Sequence, residues 1–252
     1  MIAGDYLKNN TLLLGGSGTL GKTIINSNLF KNLIYPTKKK LNILDQNRLQ
    51  KFLKKNNINL ILHCAALARV KECEINKKKA CTVNITGTSN VVNAVLEIKK
   101  IYKKKIKLVF ISSDAVYPST KGNYKETDEL MPYNFYGWTK LIGEGLVKFI
   151  ENHIIIRTRF FDKNKIPFKY SANNIYTSSL EVNDLVYNIS KLIKRNFQGI
   201  INVGGPRISD YKKYKKYKKN LKPCDKSKIL KKLNFKMATD ASLNINKLKL
   251  IK

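Results

Sequence analysis

A short apolar strand running straight into spaced glycines limits what this chain can fold into more than any other stretch. Thr11-Leu-Leu-Leu14 leads into Gly15-Gly-Ser-Gly18-Thr-Leu-Gly21, and a helical segment follows from Lys22. Glycine allows a tight turn and a close backbone approach, so a pyrophosphate can meet the N–H groups at the helix start. The spacing is G-x-x-G-x-x-G. The same residues also satisfy the triphosphate-loop pattern G-x-x-x-x-G-K-[ST], through Gly16, Gly21, Lys22 and Thr23. A triphosphatase would further require a strand-end Asp for magnesium. Asp114 is the candidate, but that reading leaves other residues described below without a role. Dinucleotide binding accounts for more of the chain.

Downstream, short apolar strands alternate with helices. Strands are expected at Leu33–Tyr35, Asn59–His63, Lys107–Ser112, Ile154–Arg157 and Gly199–Val203. Helices are expected at Arg48–Asn57, within Asn76–Ile98, at Tyr136–Ile150 and at Leu180–Lys194. This alternation predicts an α/β fold, a Rossmann-type doubly wound parallel sheet with both faces covered. Residues 161–176 are polar and irregular in texture. The chain therefore divides into a dinucleotide-binding domain over 1–160 and a small, partly irregular substrate-binding region over 161–252, in which 180–203 returns to the sheet. The run Tyr211-Lys-Lys-Tyr214-Lys-Lys-Tyr217 resembles a nucleic-acid patch. It is better explained by one helix stripe, with Tyr211, Tyr214, Tyr217 and Leu221 facing the body and Lys facing water.

The formal net charge is +32 over 252 residues, with only six Arg. Nearly all of it is Lys spread along the chain, which is a composition-wide bias rather than a basic patch. Any polyanion binding of that kind fades steeply with salt, so no specific nucleic-acid partner is expected. No run of eighteen apolar residues exists, and the leader Met1–Asn10 lacks the apolar stretch of a secretory signal. No membrane association is expected, and the location is expected to be cytoplasmic. Cys64, Cys73, Cys81 and Cys224 show no CxxC spacing, so reduced thiols are the default. His63 and Cys64 are adjacent on a strand and point to opposite faces, so no metal site is expected.

Tyr136-Gly-Trp-Thr-Lys140 places a phenol and an ammonium on one helix face, one turn apart. A fixed cation favours the phenolate and moves its pKa from about 10 toward the working range. Ser113, at the end of the strand before Asp114, brings a hydroxyl that can bind the oxygen Tyr136 protonates. These three groups suit hydride reduction of a carbonyl. Pro36-Thr-Lys-Lys-Lys40 stands where a ribose-binding acid often lies. Cations there accommodate a 2′-phosphate, which favours NADPH, with NADH the other choice. Asp45 can reach the adenine edge or be a solvated loop acid.

On these residues the chain resembles the extended short-chain dehydrogenase/reductase superfamily, and within it the dTDP-4-dehydrorhamnose reductase-like sugar-nucleotide reductases. The resemblance runs through the glycine loop, His63-Cys-Ala-Ala66, Val83-Asn84, Ser112–Tyr117, Glu126–Asp128, Pro132–Asn134, Tyr136–Lys140 and Arg157-Thr158. It implies that Tyr136 is the proton donor, that Lys140 binds the nicotinamide ribose and lowers the Tyr136 pKa, and that Ser113 holds the sugar carbonyl. It also implies that Gly15, Gly18, Thr19, Leu20 and Gly21 cradle the pyrophosphate. Asp45 and Gln46 would lie by the adenosine, Ala65, Ala66 and Leu67 along the cofactor, and Asn84 near it. The implied reaction is reduction of the 4-keto group of a nucleotide-linked 6-deoxy sugar, in deoxysugar and surface-glycan biosynthesis. A homodimer is among the assemblies the sequence leaves open.

Departures fall at Ala115, Lys71 and Phe160, where the resembled reductases carry an aromatic residue, Asp and Trp. A sugar-nucleotide epimerase or dehydratase is the first alternative, although dehydratases place Asp-Glu where this chain has Asp114-Ala115. A non-catalytic cofactor-binding regulatory subunit is the second.

Overall fold

The computed structural model describes residues 9–231, 233 and 235–251. Residues 1–8, most of the leader read above, lie outside the described residues. Strands β1 (Asn10–Leu14), β2 (Asn32–Ile34), β3 (Leu60–His63), β4 (Lys107–Ile111), β5 (His153–Thr158) and β6 (Gly199–Val203) form the main sheet. Their order is β2-β1-β3-β4-β5-β6, and every pairing is parallel. The chain steps outward from β1 to β2 and then returns to the other side of β1. That reversal between β1 and β3 is the switch point at which a doubly wound sheet opens a crevice at its strand ends.

Consecutive strand residues are buried because both faces are covered. Leu12 and Leu14 pack on one face and Leu13 on the other. The same alternation separates Leu108 and Phe110 from Val109 and Ile111, and Ile155 from Ile154 and Ile156. Helices α1 (Thr19–Asn26) and, late in the chain, Val182–Lys194 cover the Leu13 face. The other face is covered by α2 (Gln46–Lys55), the 87–102 helix and the 135–147 helix. Between β3 and β4 the helical run comprises α3 (Val70–Ile75), α4 (Lys77–Cys81), a π-turn at Thr82–Thr86 and α5 (Gly87–Tyr102). The long helix expected within 76–98 thus carries a π-bulge, a feature frequent at functional sites. Helix α6 spans Phe135–Val147 and α7 spans Val182–Lys194.

Beyond β5 the chain builds small sheets rather than one irregular stretch. Tyr170–Ala172 pairs with Lys222–Cys224, and Tyr176–Thr177 pairs with both Ile208–Ser209 and Asp240–Ala241. The Tyr/Lys run behaves differently from its expected stripe. Helix α8 covers only Asp210–Lys215, and Lys213 points inward. The Lys213 ammonium donates to Thr177 Oγ1 at 2.8 Å and Asp210 Oδ1 at 2.7 Å. Tyr214 does face the body, edge-on to Phe161 and Phe168, and Leu221 is buried, whereas Tyr217 touches Phe161 but is half exposed. An anion one turn away lets a Lys be buried where hydropathy assigns it to water.

A buried ion pair joins the layers. Arg157 from β5 and Glu144 from α6 are each 1 % exposed and meet at 2.8 Å. Ser112 Oγ donates to Glu144 Oε1 at 2.5 Å. The other side of the guanidinium donates to the Tyr117 hydroxyl at 2.8 Å and the Glu126 carbonyl at 3.0 Å. Tyr117 in turn donates to Asn202 Oδ1 of β6 at 3.0 Å. Replacing Arg157 with Met strands a carboxylate in the core. We expect a loss of about 3–5 kcal/mol in urea unfolding, largely recovered when Glu144 is replaced by Leu as well; a loss below about 1 kcal/mol would show that the pair carries little.

Candidate active site

The glycine loop is shaped by contact between strand ends. Gly15 has φ +94°, and a Cβ there would lie 2.6 Å from the Ala65 nitrogen. A Cβ at Gly21 would lie 2.3 Å from the Gly15 carbonyl oxygen. These two positions are glycine because the chain itself occupies the space. Gly18 differs. The nearest atom to a Cβ there is the Gly15 oxygen, at an ordinary 3.6 Å. Gly18 is the N-cap of α1, has extended backbone, and contributes no side-chain cap. The first turn of α1 carries no acid, so its N–H groups open toward the cleft with a partial positive charge. Internal packing leaves room beside Gly18 that a pyrophosphate can use, so the loop fits a dinucleotide.

The triphosphatase reading loses its support here. Lys22 points to solvent, and Thr23 Oγ1 donates to the Thr19 carbonyl at 3.0 Å. Asp114, the candidate magnesium ligand, instead faces Arg159 at 3.6 Å. His63, the neighbour of Cys64, places Nε2 3.1 Å from Thr88 Oγ1.

Two cavities meet at Gly15, Gly18, Cys64, Ala66 and Leu67. One, of about 700 Å³, runs under Tyr35, Lys38, Lys39, Asn42 and Ile43 and includes Ala65. The other, of about 750 Å³, is lined by Thr19, Leu20, Gly21, Ser113, Tyr136 and Lys140. Asp45 and Gln46 are not among the residues lining either cavity. Asp45 caps α2, accepting from the Arg48 N–H at 2.9 Å, and is exposed. Its short side chain satisfies a helix end, which is the solvated-acid reading of that residue. The lysines at 38 and 39 do reach the cavity wall. Asn84 lies beneath it, in the π-turn. Its Oδ1 accepts from the Leu67 N–H at 2.7 Å, while Nδ2 donates to the Leu67 carbonyl at 3.1 Å and to Thr139 at 2.9 Å. Asn84 thus fixes the backbone of the 65–67 loop against α6.

Tyr136 stands in the first turn of α6 because that start is doubly fixed. The Asn134 side chain accepts from the Gly137 N–H at 2.7 Å, and Glu74 accepts from the Phe135 N–H at 2.7 Å. A Cβ on Gly137 would lie 2.2 Å from the Ala115 carbonyl oxygen. Only glycine therefore lets the 114–116 turn press against the helix and bring Ser113 to Tyr136, whose hydroxyl it hydrogen-bonds. Ser113 Oγ also donates to Asp114 Oδ1 at 3.1 Å and accepts from the Ala115 N–H at 3.1 Å.

The charges depart from expectation. Lys140 was expected to lower the Tyr136 pKa. Burial instead raises it, and Asp114 raises it further against the opposing Ser113 hydrogen bond. Lys140 is pushed down to about 8, by burial first, with Glu144 pulling the other way. Its Nζ sits 4.0 Å above the centre of the Phe110 ring. Low polarity disfavours either group's charged form, and that outweighs a cation one helical turn away. Tyr136 is therefore a phenol at neutral pH, and Lys140 is still mostly an ammonium there, with its pKa brought down to about 8.

Tyr133, Asn134, Arg159, Phe160 and Met237 also line the second cavity. Arg159 and Met237 carried no signal in the sequence, because nothing local shows that segments 45 and 123 residues past Asp114 fold back onto it.

The family described as RmlD substrate binding domain matches residues 9–171. Bovine (Bos taurus) methionine adenosyltransferase 2 subunit beta is 29% identical over 152 residues, covering 57% of this chain and 43% of that protein. dTDP-4-dehydrorhamnose reductase of Mycolicibacterium smegmatis is 26% identical over 147 residues, covering 57% and 42%. The chain thus spans less than half the length of these curated relatives. Among solved structures, a dTDP-4-dehydrorhamnose reductase from Bacillus anthracis in complex with NADP superposes with a TM-score of 0.84 at 24% identity, covering 96% of this chain and 92% of that one. No helix among the described residues is long and apolar enough to cross a membrane.

The two kinds of glycine are separable. Gly18→Ala is expected to change unfolding free energy by no more than about 1 kcal/mol while weakening dinucleotide affinity at least about tenfold. Gly15→Ala should instead cost about 2–4 kcal/mol of stability through positive-φ strain and overpacking. Thermal denaturation and cofactor titration of both variants check this; equal stability losses would refute the distinction.

Proposed function

Because the chain belongs to the RmlD substrate binding domain family, we propose that it reduces the 4-keto group of a nucleotide-linked 6-deoxy sugar, using NADPH, in deoxysugar and glycan biosynthesis. NADH is the alternative cofactor. The observation that carries this reading is that Ser113, Tyr136 and Lys140 line one cavity that continues to the glycine loop. The relatives named as dTDP-4-dehydrorhamnose reductases support it.

Bound NADPH would supply the hydride that adds to the sugar C4. Gly15, Gly18, Thr19, Leu20 and Gly21 would hold its pyrophosphate, and Ala65, Ala66 and Leu67 would flank it. Lys38 and Lys39, on the first cavity's wall, would meet the 2′-phosphate. Ser113 would turn its hydroxyl from Asp114 to the sugar carbonyl. Tyr136 would then deliver its proton to the forming alkoxide. A raised pKa suits that role, because the phenol is fully protonated before the step. Once the proton has left, the Lys140 ammonium would stabilise the phenolate and bind the ribose.

We divide the chain, on this reading, into a cofactor-binding half over 1–160 and a substrate-binding region over 161–252, with 180–203 serving the sheet. A homodimer and a cytoplasmic location belong to the same proposal. A second reading is a regulatory subunit that binds the cofactor without turnover. It is favoured by the bovine relative, itself named a subunit.

The test is NADPH oxidation with a panel of nucleotide-linked 4-keto sugars. We expect turnover with at least one, and a fall in kcat of about 10²–10⁴-fold in Tyr136→Phe at nearly unchanged NADPH affinity. Failure of every substrate, with NADPH still bound, would favour the subunit. With Lys140 lowered to about 8, its cation exists below that pH and is lost above it. NADPH affinity should therefore decline as pH rises through about 8, and a flat profile between pH roughly 7 and 9.5 would contradict a role for the Lys140 charge.

A further inference from the structure

A buried ammonium needs something to hold it, and Lys140 is not held in the usual way. Its side chain is 3 % exposed. The carboxylate one turn along its own helix, Glu144, is committed to Arg157 and Ser112 through both oxygens. Glu144 acts on Lys140 at a distance, as a favourable charge. The other titratable groups facing it are neutral. Cys64 beyond β3 is a thiol pushed up to about 12 by burial, and Cys73 of α3 one pushed up to about 11. His63 is pushed down to about 3 by burial first and by the Lys140 charge second. Tyr136 is a protonated phenol.

The face of Phe110 is the group directly beneath Lys140 Nζ, 4.0 Å from the ring centre. That ring is itself clamped. A Cβ on Gly143 would lie 2.8 Å from Phe110 Cζ, so the ring occupies the space a side chain at 143 would take. His63 packs against it at 5.5 Å between ring centres, tilted by 57°, and Thr88 holds His63. Phe110 belongs to β4 and lies only three residues before Ser113. β4 thus supplies the aromatic face under Lys140, and the turn just past its end supplies the Ser113 hydroxyl.

We propose that Phe110 is a positioning residue for Lys140: its ring, fixed by Gly143 and His63, holds the ammonium in place by a cation–π contact and keeps it charged beside Tyr136. The role of Lys140 toward the cofactor rests on the reductase reading; the contact with Phe110 does not. Cation–π attraction acts on the charged form alone, and it is strongest where water is excluded. Its removal should therefore make Lys140 easier to deprotonate.

The test follows the protonation of Lys140 itself, by competitive trace acetylation across pH with mass spectrometry of the Lys140 peptide. Relative to wild type, Phe110→Leu should lower the Lys140 midpoint by about 0.4–1.5 pH units, the shift equivalent to a cation–π contact. Replacing Phe110 with 3,5-difluorophenylalanine drains the ring quadrupole at nearly constant shape and should give a smaller shift of the same sign. It also keeps the question answerable if the Leu variant folds poorly. Lys107 serves as an internal control. It too is pushed down to about 8 by burial, but its ammonium donates to Asn196 and the Phe197 carbonyl, away from Phe110, and should not move. Unchanged Lys140 midpoints in both variants, or an equal drift at Lys107, would overturn the proposal. NADPH affinity of Lys140→Met tests the reductase reading separately. An unaltered affinity would sink the cofactor role of Lys140 and leave the labelling result to judge Phe110.

Discussion

Two opposite charges sealed in the interior set the geometry on which the cleft depends. Arg157 lies near the carboxyl end of β5 and Glu144 in the last turn of α6. Neither can be buried alone without a cost of several kcal/mol. Once paired, their remaining donors and acceptors need partners too, and those come from Ser112, Tyr117 and the Glu126 carbonyl. Because Ser112 adjoins Ser113, and Glu144 lies two turns along α6 from Tyr136, the pair fixes the end of β4 against the helix that carries the phenol. A buried pair of this kind adds little net stability, since a hydrophobic replacement can be as stable. Its consequence here is alignment of a hydroxyl with a phenol.

The cleft above this pair is governed by desolvation more than by charge pairing. Burial keeps Tyr136 protonated and makes Lys140 readily deprotonated. Those shifts look opposed to simple helix-face electrostatics, yet they suit an acid that must hold a proton until an alkoxide forms. On the proposed reductase reading the cation would act after proton transfer, when a phenolate would appear in a poorly solvated place. Asp114 complicates the balance. It is buried, its own pKa is raised by that burial, and Arg159 opposes the rise. The Asp114–Arg159 contact and the small Ala115 both belong to the wall of the second cavity.

The large positive charge resolves into ordinary parts. Most lysines line the surface, but Lys107, Lys140 and Lys213 are buried. Each meets a different partner: an amide and a carbonyl, an aromatic face, and a carboxylate with a hydroxyl. Their burial could not be inferred from a chain so rich in Lys, because the residue type carried no contrast. The inward turn of Lys213 shows this well, since a Tyr stripe at helical spacing gave no sign that a Lys between its members is buried as well.

Local sequence determined the strand-glycine-helix unit, the sheet and its alternation, since each follows from near-neighbour patterns: apolar runs, φ-permissive glycines and helical periodicity. It likewise brought out Ser113, Tyr136 and Lys140 as a set, because their spacing is short and their elements are regular. Asp45 shows the limit. One acid fits a cofactor contact and a helix cap equally well, and only the folded backbone, with the Arg48 N–H in reach, shows that it does cap α2. Tertiary structure alone decided that Gly18 leaves open space while Gly15 and Gly21 meet other parts of the chain, that Arg159 joins the cleft, and that Phe110 lies beneath Lys140. These depend on contacts between segments distant in sequence, and on a solvent-poor interior whose effect on pKa no local pattern encodes.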